Sequence, residues 1–154
     1  MSFDTPNGTR GARQPGAGRM IRWGNKMAMS RIRRKGGRFM EMNALALTTV
    51  GRNSGAERTT PVAWFPGTDG SWLIVASAGG AARNPAWYYN IAARPDTVRI
   101  EVTGRTVPVT AGQLHGAERD EAWRQITAAS PRFAKYQEKT DRQLPVIRLV
   151  PRSG

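Results

Sequence analysis

The stretch LALTTVGRNSGAERTTPVAWF (residues 45–65) continues through the turn GTDG (67–70) into SWLIVASAGGAARNPAWYYN (71–90). Its pattern predicts a strand, a Gly-punctuated turn, a second strand, a tight turn, a third strand, a Gly-rich loop and a helix. Asn84 is expected to be the N-cap of that helix and Pro85 its first residue. Three backbone corners and several hydroxyl groups therefore converge around one short sheet. We expect a binding site for an anionic ligand where they meet.

Apolar and alternating runs on both sides of this stretch predict the remaining elements. There are no regularly alternating strand and helix units, which argues against a doubly wound parallel sheet. The better fit is a mainly β (α+β) small barrel, closed or partly closed, of about six mostly antiparallel strands with helices before, between and after them. The predicted strands are 44–50, 57–65, 71–77, 97–102, 105–110 and 146–150, and the predicted helices are 19–35, 85–93, 118–129 and a short segment from about 131. Pro61 cannot donate to a ladder, so its strand should lie at an edge or be interrupted.

Length and composition limit the class of protein. A chain of 154 residues is one ordinary domain, long enough to bury a core without metals or disulfides. The absence of cysteine excludes a disulfide scaffold, thiolate metal ligands and a cysteine nucleophile, and is compatible with a cytoplasmic location. No apolar run approaches the roughly 18–20 residues that span a bilayer.

The excess positive charge is concentrated at the N-terminus, where residues 1–42 hold ten of the 24 Lys and Arg residues against two acidic ones. Residues 1–18 are rich in Gly and Pro and poor in apolar side chains, which predicts a disordered basic leader. Residues 19–38 are predicted to hold a basic amphipathic helix. This helix has three candidate roles: docking on its own domain, lying on an anionic membrane surface, or binding nucleic acid. Residues 39–154 form the ligand-binding domain.

Most catalytic chemistry is excluded by the residues available. His115 is the single histidine, so neither a zinc site nor a Ser-His-Asp triad can be assembled from recognisable motifs. GRNSG lacks the end of a P-loop, and Gly79-Gly80 does not complete a dinucleotide fingerprint. Anion binding by the arginine-bearing turn and the Gly-rich loop remains, and its alternative is a solvated turn beside a flexible loop.

A family resemblance favours the first of these. LTTVGRNSGAERTTPV, VASAGGAARNPAWYYNIAARP and YQEKTDRQLPV occur in order between about Ala44 and Pro151. Together they resemble the deazaflavin-dependent nitroreductase family, actinobacterial enzymes that use coenzyme F420. The resemblance implies a split β-barrel, similar to that of flavin-dependent pyridoxamine-phosphate oxidases, and a hydride-transferring reductase.

The resemblance also implies which residues bind the cofactor. The turn between the first two core strands holds the phosphate and oligoglutamate tail, a second loop holds the deazaflavin ring, and the following helix closes the site. Asn53 and Ala78 stand where lysines are common in the family, which weakens the expected grip on the tail. The implied cofactor-binding residues are Arg52, Asn53, Ser54, Arg58, Pro61, Ala76, Ser77, Ala78, Gly79, Gly80, Asn84, Trp87 and Tyr88. For Trp87 and Tyr88, packing in the core is an equal alternative.

The segment SPRFAKYQEKTDR (130–142) corresponds to the one that faces the acceptor in the family. It retains one tyrosine, Tyr136, which implies a pocket that stacks a flat ring with few hydrogen-bond donors. The acceptor is expected to be a quinone or another planar electrophile such as a nitroaromatic or activated enone. Ser77 and Tyr136 are the catalytic candidates, as donors to the acceptor oxygen. The implied substrate-binding residues are Ala63, Ser130, Phe133 and Tyr136.

Two other functions stay open on the sequence alone. The same barrel can bind FMN or another ring-shaped ligand, with or without turnover, and a basic adaptor can use the barrel only as a scaffold. The sequence further predicts a cytoplasmic protein, peripheral on anionic membrane through residues 19–38 if that helix binds lipid. No nucleic acid partner and no metal are expected, and a homodimer is compatible with barrels of this class.

Overall fold

The computed structural model describes residues 3–12, 38–39 and 42–152, and these form a curled, mainly β sheet with three helices. The strands are β1 (Arg38–Phe39), β2 (Met42–Val50), β3 (Glu57–Ala63), β4 (Phe65–Pro66), β5 (Trp72–Val75), β6 (Val98–Val102), β7 (Arg105–Gln113) and β8 (Val146–Pro151). The helices are α1 (Ala86–Ala93), α2 (Gly116–Ala129) and α3 (Arg132–Glu138). Thr68–Gly70 and Ala78–Gly80 form single 3-10 turns.

All strand pairs in the sheet are antiparallel, in the order β1-β2-β6-β7-β8-β5-β4, with β3 paired to β2. Among the described strands β3 pairs with no other, and Pro61 lies opposite Ala46 in that ladder. The edge position predicted from Pro61 is therefore confirmed, because a residue without an N–H is tolerated where one side of the strand lacks a partner.

The six predicted strands are all present, but the sheet also contains two short strands that the pattern did not show. One of them, β4, arises because the predicted strand 57–65 ends early. Trp64 donates its backbone N–H to Asn43 (2.9 Å), and Phe65 then pairs with Leu73 of β5. The chain thus leaves β2 for β5 within two residues, a change of partner that a continuous apolar run conceals. The other, β1, pairs with the start of β2.

Two hydrophobic clusters lie on opposite faces of the sheet. The first packs the inner face of β2, β6 and β7 against Tyr88 and Ile91 of α1. The second packs the other face of the β5–β8 end against α2 and α3. Strand β5 contributes to both, since Trp72 and Ile74 belong to the first cluster, whereas its alternate residues Leu73 and Val75 belong to the second. Strand β5 is therefore buried on both faces.

The N-terminal residues 3–12, hereafter the N-terminal strap, lie along the domain. Thr5, Asn7 and Asp141 provide most of the side-chain hydrogen bonds that hold it, and Phe3 packs edge-on against Tyr88 with ring centroids 5.9 Å apart. A disordered leader was expected for residues 1–18 because few apolar side chains are available there. Residues 3–12 are held mainly by polar contacts, which composition does not reveal, and residues 1–2 and 13–18 lie outside the described residues. The predicted helix 19–35 lies outside the described residues.

Within the described ranges, no helix combines the length and the apolar character needed to cross a bilayer.

Candidate active site

The turn between β2 and β3 is shaped by its own backbone and fixed by α1. Gly51 donates its N–H to Ala56 O (2.7 Å), and Gly55 adopts a positive φ of 72° that closes the loop. Asn90 of α1 accepts from the backbone N–H of Arg52 (3.1 Å) and donates to Thr49 Oγ1 (3.2 Å). Because Asn90 is buried, this pair of bonds ties the turn to the helix.

A groove of ≈ 450 Å³ opens between this turn and the start of α1, a size suited to a small-molecule ligand. It contains two arginines and no carboxylate. Among the described residues neither arginine forms an ion pair, and the nearby Glu57 is bound by Arg99, whose hydrogen bond lowers the pKa of that carboxyl. The groove is therefore a cationic site with free donors. Its lining residues are Gly51, Arg52, Asn53, Ser54, Arg58, Thr60, Ala86, Trp87 and Asn90.

The loop after β5, residues 76–80, is the second predicted anion-binding corner. Ser77 is right-handed helical (φ −81°), whereas Ala78 and Gly79 have positive φ values of 46° and 64°. This succession of right- and left-handed residues makes a backbone nest, in which consecutive N–H groups point to one concave side. Within the described part of the chain, the N–H groups of Ser77, Ala78 and Gly79 donate no hydrogen bond. The loop thus has the N–H donors that an anion site would need.

Arg142 holds this loop from behind. Its side chain is 2% exposed, and all five of its N–H donors are used on neutral acceptors. Nη1 donates to Ala76 O (2.9 Å) and Asn84 Oδ1 (2.7 Å), Nη2 to Ser77 O (2.8 Å) and Ala81 O (3.0 Å), and Nε to Ala81 O (3.1 Å). Burial lowers the pKa of this guanidinium from its usual high value. By drawing the loop carbonyls inward, Arg142 leaves the N–H side of the nest facing out.

Gly80 brings the same loop against α3. A Cβ at Gly80 would lie 2.5 Å from Tyr136 O, so only glycine permits this approach, and its φ of 85° also favours glycine. The two catalytic candidates, Ser77 and Tyr136, are consequently on elements in direct contact. The Ser77 hydroxyl does not cap the 3-10 turn that follows it.

The predicted substrate residues gather at the second hydrophobic cluster. Phe133 is buried within it, and Ala63 and Tyr136 pack against it. The Phe133 ring stands edge-on to Tyr136, with centroids 5.6 Å apart. Ser130 is also buried, at the junction between α2 and α3. Strand β3 joins this region to the groove, since Arg58 and Ala63 are five residues apart and so separated by ~17 Å of strand.

Of the thirteen predicted cofactor residues, five line the groove, namely Arg52, Asn53, Ser54, Arg58 and Trp87, and eight do not. Pro61, Ala76 and Gly80 are buried. Tyr88 is buried too, its hydroxyl donates to Gln113 Oε1 (2.6 Å), and burial raises its pKa. Asn84 was expected to cap α1, but its amide donates to Thr5 O (2.9 Å) and accepts from Arg142. That expectation is wrong, since helix α1 begins after Pro85 with no side-chain cap.

Sequence reasoning missed two residues of the site. Arg142 stands in the Thr-Asp-Arg segment that carried part of the resemblance, but nothing in the sequence marks this arginine as buried. Tyr89 was missed as well. Its ring lies under the guanidinium of Arg52, with 4.8 Å between Arg52 Cζ and the ring centroid. Its place beside the motif residues of α1 was the signal that could have pointed to it.

Comparisons with known proteins agree with this geometry. Residues 20–151 match the model of the F420H2-dependent quinone reductase family. The chain belongs to this family. An F420H2-dependent quinone reductase of Mycobacterium tuberculosis (strain ATCC 25618 / H37Rv) is 37% identical over 112 residues, which cover 71% of this chain and 74% of that protein.

Two solved structures share this fold. The F420H2-dependent reductase FDR-A superposes with a TM-score of 0.62 at 37% identity, covering 69% of this chain and 92% of that one. A structure described as a domain-swapped dimer superposes with a TM-score of 0.64 at 32% identity, covering 84% and 96%. The split-barrel fold predicted from the motifs is confirmed. So are the assignment as an F420H2-dependent reductase and the cofactor, coenzyme F420.

The residues present fit this cofactor. An anionic tail needs cations and N–H donors without competing carboxylates, and the groove supplies Arg52 and Arg58 while the nest supplies three N–H groups. The family assignment does not test the individual site residues, which stay predictions.

Proposed function

We propose that this chain reduces a quinone by hydride transfer from reduced coenzyme F420, with the cofactor lying along β3 between the groove and the second hydrophobic cluster. The observation that carries the proposal is the groove itself, with two arginines, no carboxylate and no ion pair to a described residue. The bound cofactor supplies the two-electron chemistry, and the protein supplies binding, orientation and charge stabilisation.

The anionic tail is assigned to the turn. Arg52 and Arg58 bind phosphate or carboxylate oxygens through planar two-point contacts, and Asn53 and Ser54 add neutral donors. The outward N–H groups of the nest offer a further anion contact. Asn53 and Ala78 do not add the positive charge that lysine would. The arginines therefore carry most of the salt-dependent part of the affinity.

The ring and the acceptor are assigned to the other end of β3. Gly79 leaves space for the tricyclic ring, since a Cβ there would meet no atom within 4 Å, and Trp87 lies at the groove wall. Pro61 and Gly80 are buried, so neither is assigned a contact with the ring. The half-buried Tyr136 offers an aromatic surface to a planar acceptor, and the buried Phe133 packs edge-on against its ring. Donors from Ser77 and Tyr136 stabilise negative charge as it develops on the quinone oxygen, and Tyr136 or water gives the final proton.

The test begins with titration of the purified protein with coenzyme F420 and, in parallel, with FMN. We expect saturable binding of F420 and much weaker binding of FMN. Arg52→Ala and Arg58→Ala should each weaken F420 binding by about 10- to 100-fold, the value of one charge-assisted hydrogen bond of about 1.5–3 kcal/mol. Asn43→Ala, an exposed change on β2, is the matched control. Preference for FMN, or equal affinity of all variants, would refute the cofactor assignment.

The acceptor side is tested by turnover with a soluble quinone. Ser77→Ala and Tyr136→Phe should lower kcat by roughly ten- to a thousandfold, as expected for loss of one donor to a developing oxyanion. Near-normal rates in both variants would remove these residues from the mechanism. A nitroaromatic measured beside the quinone shows how far the acceptor range extends.

Membrane contact and assembly are finer parts of the same proposal. We propose that this cysteine-free enzyme is cytoplasmic and meets a lipid-soluble quinone at the membrane surface through the basic segment 19–38. Unchanged sedimentation with anionic liposomes after deletion of residues 1–38 would refute that role. The relative described as a domain-swapped dimer supports a homodimer, which light scattering of the full chain would test.

A further inference from the structure

The N-terminal strap lies outside the family-matched region, which begins at residue 20. Even so, it contacts the elements that carry both anion-binding corners. Its first residues pack on α1 beside Tyr88, and its last residue, Ala12, forms an isolated parallel bridge with Ala81. A segment without an apolar core of its own is thus placed across the back of the candidate site.

The contacts to the nest are made by backbone and by one amide. Gly8 donates its N–H to Ala82 O (2.7 Å), and Ala12 donates to Gly80 O (2.9 Å). Asn7 Oδ1 accepts from the backbone N–H of Asn84 (2.9 Å), the residue that Arg142 also binds. These bonds restrain the residues that follow the nest, from Gly80 to Asn84.

The contact to the arginine turn passes through Tyr89. The Tyr89 hydroxyl donates to the same Asn7 Oδ1 (2.7 Å), so one amide oxygen of the strap serves both corners. The Tyr89 ring then lies under the guanidinium of Arg52 at 4.8 Å, which holds an exposed arginine beside the groove. Asn90, the next residue of α1, binds the backbone of Arg52. Side chain and backbone of Arg52 are therefore both fixed from α1.

We propose that the strap is a positioning element for the cofactor's anionic tail, with Asn7 as the residue that couples it to Tyr89 and thereby to Arg52. The inference rests on the proposed function, because it needs Arg52 to contact the tail. A pre-positioned arginine loses less side-chain freedom on binding, so its contact with an anion contributes more to the affinity. Neither Asn7 nor Tyr89 touches the reacting atoms.

Thermodynamic linkage gives the proposal a second, independent consequence. If a docked strap raises the affinity for the tail by some factor, the bound tail must favour the docked strap by the same factor. Binding of F420 should therefore protect the strap, whereas a deazaflavin that lacks the phosphate and tail should not. A strap that is merely structural would not distinguish the two ligands.

The experiment uses the full chain and measures both consequences. Dissociation constants for F420 and for a tail-less deazaflavin are compared in wild type, Asn7→Ala, Tyr89→Leu and the control Asn43→Ala. Loss of the exposed cation–π contact predicts about 2- to 5-fold weaker F420 binding in Tyr89→Leu, and loss of two hydrogen bonds predicts about 3- to 10-fold in Asn7→Ala. Tail-less ligand affinity and the control should stay within about twofold, below the value of one such hydrogen bond. Tryptic cleavage after Arg10, followed by mass spectrometry, should slow in the presence of F420.

The outcomes distinguish failure of the proposed function from failure of the strap's positioning role. A wild-type protein that does not bind F420 refutes the proposed function and, with it, this inference. Wild-type binding that is lost in Arg52→Ala but unchanged in Asn7→Ala and Tyr89→Leu, with no protection at Arg10, overturns the strap's role alone. Equal loss of F420 and tail-less deazaflavin affinity in the two strap-side variants also overturns it, because the effect would then be a general loss of structure. Thermal unfolding of each variant identifies that last case.

Discussion

Replacement of Arg142 by alanine should destabilise the domain far more than loss of a typical surface arginine. The substitution removes a donor from four acceptor atoms: the carbonyl oxygens of Ala76, Ser77 and Ala81, and Asn84 Oδ1. Ser77 O still accepts from the backbone N–H of Gly80, so three acceptors are left unsatisfied. An unsatisfied buried acceptor costs about 1–3 kcal/mol. Three at the low end of that range give ~3 kcal/mol, and water entering the vacated space offsets part of any larger sum. We expect a loss of about 3–5 kcal/mol.

Urea unfolding and thermal unfolding both measure this loss. For a chain of this length, each kcal/mol shifts Tm by about 2–4 °C, so Tm should fall by about 6–20 °C. Arg142→Lys is the matched variant, since it keeps the charge but offers three donors in place of five and lacks the planar fork. It should recover about half of the loss. The same variants should weaken F420 binding, because the carbonyls that Arg142 draws inward determine where the nest N–H groups point.

A free energy of unfolding for Arg142→Ala within about 1 kcal/mol of wild type would refute this reasoning, because it would mean that water replaces the guanidinium at no cost. Normal F420 affinity in a folded Arg142→Ala protein would leave the stability argument intact and remove Arg142 from the site.

Three further predictions follow from single contacts. Gly80→Ala should lower stability more than its matched neighbour Gly79→Ala. A Cβ at Gly79 meets no atom within 4 Å, so that variant carries only the penalty of the positive φ, about 1–2 kcal/mol. Chemical denaturation measures the stability of both variants. Tyr88→Phe should lower stability by about 1–3 kcal/mol, since its hydroxyl donates to a buried amide and accepts from the backbone N–H of Thr5 in the strap, and thermal unfolding measures the loss. Hydrogen bonds from the strap, first from the Thr9 hydroxyl and then from backbone N–H groups, lower the pKa of Asp141 to about 2. The stability that this carboxylate contributes is present above its unfolded pKa and lost as pH falls from about 4 towards 2, and Asp141→Asn should make strap proteolysis insensitive to pH in that window.

The order of the strands and helices could be predicted because turn-forming residues separate many of them in the sequence. Gly51 marks the end of β2, Gly55 precedes β3 and Asp69-Gly70 precedes β5. The Pro61 argument correctly placed β3 at an edge. The β2–β3 turn was likewise identified as a cationic corner from Arg52 and Arg58 alone. Each of these inferences depends on residues within a few positions of one another.

What the sequence could not predict depends on partners far apart in the chain. Asn84 is a residue type that often caps helices, but its side-chain amide is hydrogen-bonded to Thr5 and Arg142 instead. The sequence predicted disorder for the strap because its contacts to Asp141 are polar and join residues more than 130 positions apart in the chain. No periodicity or composition rule links such pairs, so their existence is evident only from the folded chain.

The two-sided burial of β5 has a consequence for how the sheet assembles. In a strand with one solvent-exposed face, a register shift of one residue would expose the apolar side chains to water, and this cost fixes the register. Shifting β5 against β8 exchanges Trp72 and Ile74 for Leu73 and Val75, and water penalises neither arrangement. Only side-chain shape distinguishes the two registers, because the indole of Trp72 does not fit a site shaped for a leucine. The register of β5 against β8 is therefore determined by steric fit. Substitutions that change side-chain size in β5 should disturb this register even when they preserve hydropathy.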